Sequence, residues 1–596
     1  MSNIRNPSAA VIVWSYKNRL TNEASNISEV HEVEQTILNT VSLINITTNK
    51  SKSSPVGTFT FTLGPYKNWV EAITPGSWCA ILMTNEGLTE INKDTKKAEQ
   101  SELKFFGRIN SVRGSVHVSE DGARQTMFVC EGEDWGSVFN SVLYVDPSTR
   151  DPKAGAVGTG VALVYGDLIK DITEGSVSIP DTTTNIKALL KLWGTQSSYL
   201  SNIADTFASI ASGDTPAPVV YSSAVFKMPK EAAKFLGTSP SIASAILNDG
   251  GLTTGVLSGY DKYKDTSESV GIIDPSSVIG THAIWDLIRD NTNNIINEVF
   301  CDLRWIDGKP KLGLYKRVRP FLTKPAAGLL GQVLGPLPEF AGVGNKQRLA
   351  VTSYFKNVRR VEIPLEDIIS FDAGTNWRDK LNFVEILPDL SQFQYNGKTF
   401  DIDTASKAKA QVVDRAAFGR EGMKAAQYTT RFYPVASDGN PSFVDPSAWS
   451  DIVAQWYFNT HNYLNGTMEI VGQSEFIGVG DNVMVPAEVF GVKPNMNSKQ
   501  LSSSSKQFYL LHVESVSHNF NVTAEGGRHW TTVISYTRGV LANSKGTPTD
   551  LTAMDLDSSK LSGSDELNNW NTITTSAGPN GKADPDVSKV PNPKKG

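Results

Sequence analysis

The 596-residue chain has little of several things that usually betray a function. It holds three cysteines, Cys79, Cys130 and Cys301, an odd number without CxxC spacing. That excludes a disulfide framework and a thiolate zinc site and leaves reduced, buried thiols as the expectation. No run of 18 apolar residues occurs, and the apolar stretch at the amino terminus reaches only from Ala9 to Trp14. The chain is therefore expected to be made in a cytoplasm and to have no membrane segment. HExxH, GxSxG and P-loop motifs are missing, and the glycines of GVGDN lie between strands instead of opening a helix, which argues against phosphate cradling. An excess of basic charge is missing too. Lys+Arg 56 against Asp+Glu 62 leaves −6, a balance that does not attract phosphate backbones. Gly 48 and Pro 29 are ordinary usage, so collagen-like and wholly disordered readings fall away.

What is present is β patterning at both ends of a longer, more helical middle. In GTFTFTL, Thr58, Thr60 and Thr62 share one face and Phe59, Phe61 and Leu63 the other, the period of a half-buried strand. Further strands are expected at Trp78 to Met83, Phe105 to Val112 and Gln125 to Cys130. Between about 150 and 350, helices are expected from Asp274-Pro275 onward, carrying Ile284, Leu287, Ile288, Ile295 and Val299, and around Thr184 to Ser212 and Lys230 to Asn248. Asp307-Gly308 marks a hairpin between Cys301–Ile306 and Lys311–Tyr315. After 355, RRVEIPLEDIISFD and LNFVEILP read as strands, Thr404 to Phe418 as helix, Ala426 to Tyr433 as strand, and Asp445-Pro446 to Gly466 as a helix with both end signals. The last residues, rich in Ser, Asn, Asp, Lys and Pro, read as an extended or disordered tail or docking arm.

The two β regions match each other. One constant offset, without a gap, carries Gly76 onto Gly480, Gly87 onto Gly491, Ser111-Val112 onto Ser515-Val516, Gly122 onto Gly526, Arg124 onto Arg528 and Val129 onto Val533. Upstream, GTFTF at 57–61 aligns with GTMEI at 466–470 after a small length change. Alternation alone does not fix glycines at three turns and a shared arginine, so an internal duplication is the reading. Gly76, Gly480, Gly122, Gly526, Arg124 and Arg528 are its structural turn positions. Alternation places Arg108 and Asn110 opposite Phe105 and Ile109, and His512 and Glu514 opposite Tyr509 and Val513. Arg108, Asn110, Glu469, His512 and Glu514 are thus candidates for a polar or lumen-facing surface. Pairing copy to copy and chain to chain into a ring would leave no sheet edge open.

These residues resemble a known family. YLLHVESVSHNF followed by GGRHWTTVISYTRGV resembles the carboxy-terminal hairpin of the baseplate hub proteins of contractile-tailed bacteriophages and related injection systems. GTMEIVGQSEFIGVGDNVMVP resembles the strand-turn-strand before it, AFGREGMKAAQYTTRF the segment between, and PGSWCAILM with FFGRINSVRG the first tube domain. The resemblance covers roughly 1–145 and 355–543.

It implies an α+β, β-rich chain: a first tube-like β domain at 1–148, an inserted α+β domain at 149–354, a second tube-like domain at 355–395 and 460–543, a helical and strand insertion at 396–459, and an extended tail at 544–596. It further implies a homotrimer whose six tube-like units form a ring barrel joining a sixfold tail tube to a threefold spike. Implied partners are the tail tube protein, a separate central spike protein, the tape measure protein and baseplate wedge or peripheral hub proteins. DNA is implied only as transient passage through the lumen, and the location as the tail baseplate of a virion. No cofactor, metal or catalytic residue is implied.

Other chemistries find weaker support. His512, His518 and His529 could share a metal across a hairpin, but polar positions on a hairpin explain them far more simply. Glu131, Glu133 and Asp134 could serve a peptidoglycan hydrolase as acid and base, but a solvated turn explains them more simply. Trp449, Trp456, Tyr457, Phe458 and Tyr463 could form the sugar platform of a tail-tip adhesin, but their spacing suits a helix packed on the sheet.

Overall fold

The computed structural model describes chiefly residues 6–16, 33–39, 41–85, 102–118, 124–141, 228–248, 281–290, 297–306, 309–318, 358–388, 410–434, 463–491 and 507–544, the last three with single-residue gaps, and a few shorter stretches. The following strands matter here: β1 (Ser8–Tyr16), β2 (Val33–Leu38), β3 (Leu43–Ser51), β4 (Thr58–Leu63), β5 (Trp78–Thr84), β6 (Leu103–Val118), β7 (Arg124–Asp134), β8 (Asn297–Ile306), β9 (Lys309–Val318), β10 (Arg360–Glu362), β11 (Ile368–Gly374), β12 (Phe383–Pro388), β13 (Ala410–Val413), β14 (Ala425–Thr430), β15 (Leu464–Val471), β16 (Asn482–Pro486), β17 (Gln507–Val522) and β18 (Arg528–Asn543).

Among the described residues, thirteen strands join in one sheet of order β11-β15-β18-β17-β3-β4-β7-β6-β5-β1-β2, with β16 on β17 and β10 on β16. The protein is β-rich and the duplication is built into this order. β3-β4-β7-β6-β5 and β11-β15-β18-β17-β16 are the same five-strand unit in the same sequence of neighbours. The agreement reaches single hydrogen bonds. Gly76 N–H donates to Ile109 O at 2.6 Å and Ile109 N–H to Ser77 O at 2.8 Å; Gly480 N–H donates to Val513 O at 2.8 Å and Val513 N–H to Asp481 O at 2.9 Å. The β6–β7 ladder bulges between Ile109 and Ser111, and the β17–β18 ladder between Val513 and Ser515. The β3–β4 ladder slips between Leu43 and Asn45, and β11–β15 between Ile368 and Ser370. Bulges aim side chains and are built features, so four at matching places mark common descent of the two units.

One pairing separates the copies and joins them. β17 runs past β16 and pairs β3 through Ser515↔Ser51 to Asn521↔Asn45. Phe520 and Trp530 of the second copy thereby enter the core of the first, with Ile46, Phe59 and Phe61.

The expectations meet several corrections. Cross-strand partners equate Thr60 with Thr467 and Phe61 with Met468, two residues away from the alignment of GTFTF with GTMEI. A slip of two keeps every side chain on its face, so alternation is blind to it. Each unit has five strands, because β3 and β11 belong to it. The expected helix from Asp274 begins at Ile284 and ends at Asp290, and Val299 lies in β8, where its neighbours pair with β9. Part of the expected helix at 404–418 is strand β13, followed by a helix at Arg415–Glu421. β12 leaves the tube-like sheet and pairs β13 and β14 instead. The helices at Lys230–Leu236 and Ile242–Asn248 and the β8–β9 hairpin are found. Gly122, the stretch 184–212 apart from isolated positions, Asp274, most of the expected helix at 445–466 and residues 545–596 lie outside the described residues; the expected end of that helix is overturned, because Leu464, Asn465 and Gly466 open strand β15.

Candidate functional site

The pairing partners line up one face across eight strands, from β11 through β15, β18, β17, β3, β4 and β7 to β6. Small neutral polar residues dominate it: Ser515, Ser517 and Asn519 on β17, Asn45, Thr47 and Asn49 on β3, Thr58, Thr60 and Thr62 on β4. All but Thr62 are half-exposed or exposed. Its charges are mostly acidic: Asp372, Glu469, Glu131 and Glu133, with Arg113 3.7 Å from Glu131. The reverse face holds Met468, Ile470, Ile534, Phe520, Ile46, Phe59, Phe61 and Leu63, all buried. Alternation produces both faces because successive side chains point to opposite sides of a strand.

A buried ionic cluster fixes the copies at their joint. Lys50 Nζ on β3 donates to the Asp134 carboxylate and, at 2.6 Å, to Pro55 O. Burial works against the lysine's charge, but the facing carboxylate outweighs it and holds the pKa above the ordinary lysine range. Next to it Lys52 reaches Glu298 of β8 at 3.1 Å and Glu514 of β17 at 2.7 Å. Asp302, also on β8, accepts Val479 N–H at 2.8 Å and Leu303 N–H at 2.7 Å, and burial pushes its pKa up to about 7. The middle region thus sends one hairpin to clamp both copies.

The sequence-derived positions distribute as follows. Gly76, Gly480 and Gly526 have φ of +89°, +80° and +78°, backbone that L side chains rarely adopt. Arg124 opens β7 opposite Val118, and Arg528 opens β18 opposite Val522, with Nη1 3.4 Å from Ser8 Oγ. Asn110 and Glu514 are the extra residues of the two matching bulges; Asn110 is exposed, and Glu514 accepts from Thr537 Oγ1 at 2.8 Å as well as from Lys52. Glu469 stands on the polar face opposite Ser370. Arg108 is half-buried, its guanidinium 5.8 Å from the centre of the Trp78 ring. His512 does not face an open polar surface. It is fully buried, with Nδ1 2.9 Å from Asn482 Oδ1 and Nε2 3.8 Å from Glu298. The reason is that the first half of β17 is covered on both sides, by its own core and by the β8–β9 hairpin.

His518 pairs with Thr532 Oγ1 at 2.9 Å, and burial, reinforced by Lys104, lowers its pKa to about 3, so it is neutral. His529 sits opposite Asn521, and no group of three metal-ligating side chains forms among the described residues. Asp134 is engaged by Lys50 and Glu131 accepts from Ser111 Oγ at 3.0 Å. Phe458 and Tyr463 are buried, while Trp449, Trp456 and Tyr457 lie outside the described residues. The Lys50–Asp134–Asp302 cluster was missed by sequence reasoning; Lys50 on the apolar parity of β3 was its one signal.

In class, then, this is a β-rich chain made of two copies of one five-strand antiparallel unit fused edge to edge. No family model matches the sequence, and no curated protein does. Among solved structures, the chain is similar to the tail protein from Neisseria meningitidis MC58 (9% identity, 89% of this chain and 96% of that one, TM-score 0.38). It is similar also to the 43 kDa tail protein of prophage MuSo2 from Shewanella oneidensis (10%, 89% and 98%, TM-score 0.36). A third similar structure is the half-lidded Francisella PdpA-VgrG complex (7% identity, TM-score 0.32), where 90% of this chain spans 59% of the other.

Proposed function

We propose that the chain is a structural hub of a phage-type tail baseplate, a homotrimer that adapts a sixfold tail tube to a threefold spike and carries no catalysis of its own. The observation that carries this reading is the duplication down to bulges and hydrogen bonds. A closed trimer can offer similar contacts to six tube subunits only if each chain presents nearly the same surface twice. The Ser, Thr and Asn face with sparse acidic groups suits a lumen, because it is wettable and repels phosphate without holding it. In this reading the tail tube protein stacks on one rim, and the spike sits on the other with wedge or peripheral hub proteins around it. The tape measure protein and then DNA pass through the middle.

Native mass spectrometry together with electron microscopy of the purified protein tests the reading. The expected result is a particle of three chains with a central hole and near-sixfold projection. A monomer that releases fragments from bacterial cell walls would overturn it in favour of a tail-tip hydrolase, and a monomer that binds cell-surface glycans in favour of an adhesin.

A further inference from the structure

Among the strand edges that carry no partner in the described residues, beside those of β2 and β10, are the two that the duplication equates with the internal joint. The second half of β17 pairs β3, whereas the second half of β6, its counterpart, has only β7 beside it. β3 is flanked on both sides, whereas β11, its counterpart, has only β15. We infer that β6 of one chain pairs antiparallel with β11 of the next, in the register that the β17–β3 joint displays.

Transferring the register through the matched ladders fixes the partners. Phe520↔Ile46 becomes Val116 opposite Phe371, Asn519↔Thr47 becomes Ser115 opposite Asp372, and Ser517↔Asn49 becomes Arg113 opposite Gly374. Three features of the single chain fit this joint. Phe520 is fully buried in the internal joint, while Val116 is 60% exposed and Val118, on the same face, 65%. Arg113 falls diagonally across from Asp372, an opposite-charge pair on the polar face. The β6 edge is long and carries one charged residue over Ser111–Val118, without the proline or lysine that usually protects an open edge. The joint rests on the ring reading above, and it adds which edges meet and at which residues.

The test uses the full chain carrying Ser115→Cys with Asp372→Cys, positions half-exposed and exposed, under air oxidation. Directly opposed strand residues lie within disulfide reach. The native thiols Cys79, Cys130 and Cys301 are buried and do not interfere. The expected result is a covalent three-chain species on a non-reducing gel, at least fivefold more abundant than with Ser115→Cys and Ser370→Cys, which share a face but are displaced by two. Neither single variant should form it. A trimer by native mass in which the displaced pair links better, or neither pair links, overturns the joint and leaves the ring. A monomer overturns both. Hydrogen exchange of the unmodified protein is independent of variant folding: amides of 111–117 and 370–374 should be as protected in the trimer as those of 515–521 and 45–49, and fast exchange there would also overturn the joint.

Discussion

Lys50 shows how much rests on single residues at the joint. Its buried ammonium neutralises the buried Asp134 carboxylate, so Lys50→Met leaves that carboxylate unpaired, at a cost of about 3–5 kcal/mol. Denaturant unfolding at fixed protein concentration measures this, and adding Asp134→Leu should recover much of the loss. Asp302 sets a pH dependence of known sign. Its folded pKa is raised from 3.8 to about 7, chiefly by burial, so the folded chain keeps a proton that the unfolded chain releases. Its contribution is present at the acid end and is lost as pH rises towards 7. Wild type should therefore lose stability relative to Asp302→Asn between pH 4 and 7, with a constant difference above 7; parallel curves throughout would show that Asp302 is not held neutral. Neither residue role was legible beforehand, because the sequence does not show that β8 comes to lie against β3.

At the scale of the element, the two copies keep one geometry with different side chains. The cross-strand pair Phe59↔Gly132 of the first copy corresponds to Gly466↔Tyr536 of the second. In the first, the Phe59 ring lies where a Cβ on Gly132 would be, 2.3 Å away. In the second, the aromatic comes from the other strand, and Tyr536 reaches across to donate to Asp372 O at 2.8 Å. An aromatic thus covers a glycine in both copies, with the partners exchanged. Gly132→Ala should be destabilising by about 1–3 kcal/mol through overpacking, since Arg108 O also lies 2.2 Å from the added carbon. An unchanged melting temperature would mean that both the Phe59 ring and the Arg108 carbonyl give way freely. The strands and faces of β4 to β7 and of β17 and β18 were readable, because alternation and turn glycines are local signals. The register of β15 against β18 was not, since a two-residue slip preserves both signals. β3 also went unread, since LINITTNKS carries Asn and Lys that only pairing with β17 makes sense of.

Over the whole molecule, the composition, the duplication and the two-faced sheet all follow from the sequence. They depend on short-range patterns and on a repeat that one constant offset reveals between Gly76 and Arg124 and between Gly480 and Arg528. The tertiary structure decided what depends on contacts far apart in the chain. It fused the copies through β17 and β3, clamped them with the β8–β9 hairpin, moved β12 into a separate sheet, and buried His512, which alternation had placed on a polar surface. Alternation reports which side of a strand a residue takes; only packing decides whether that side meets water or another layer.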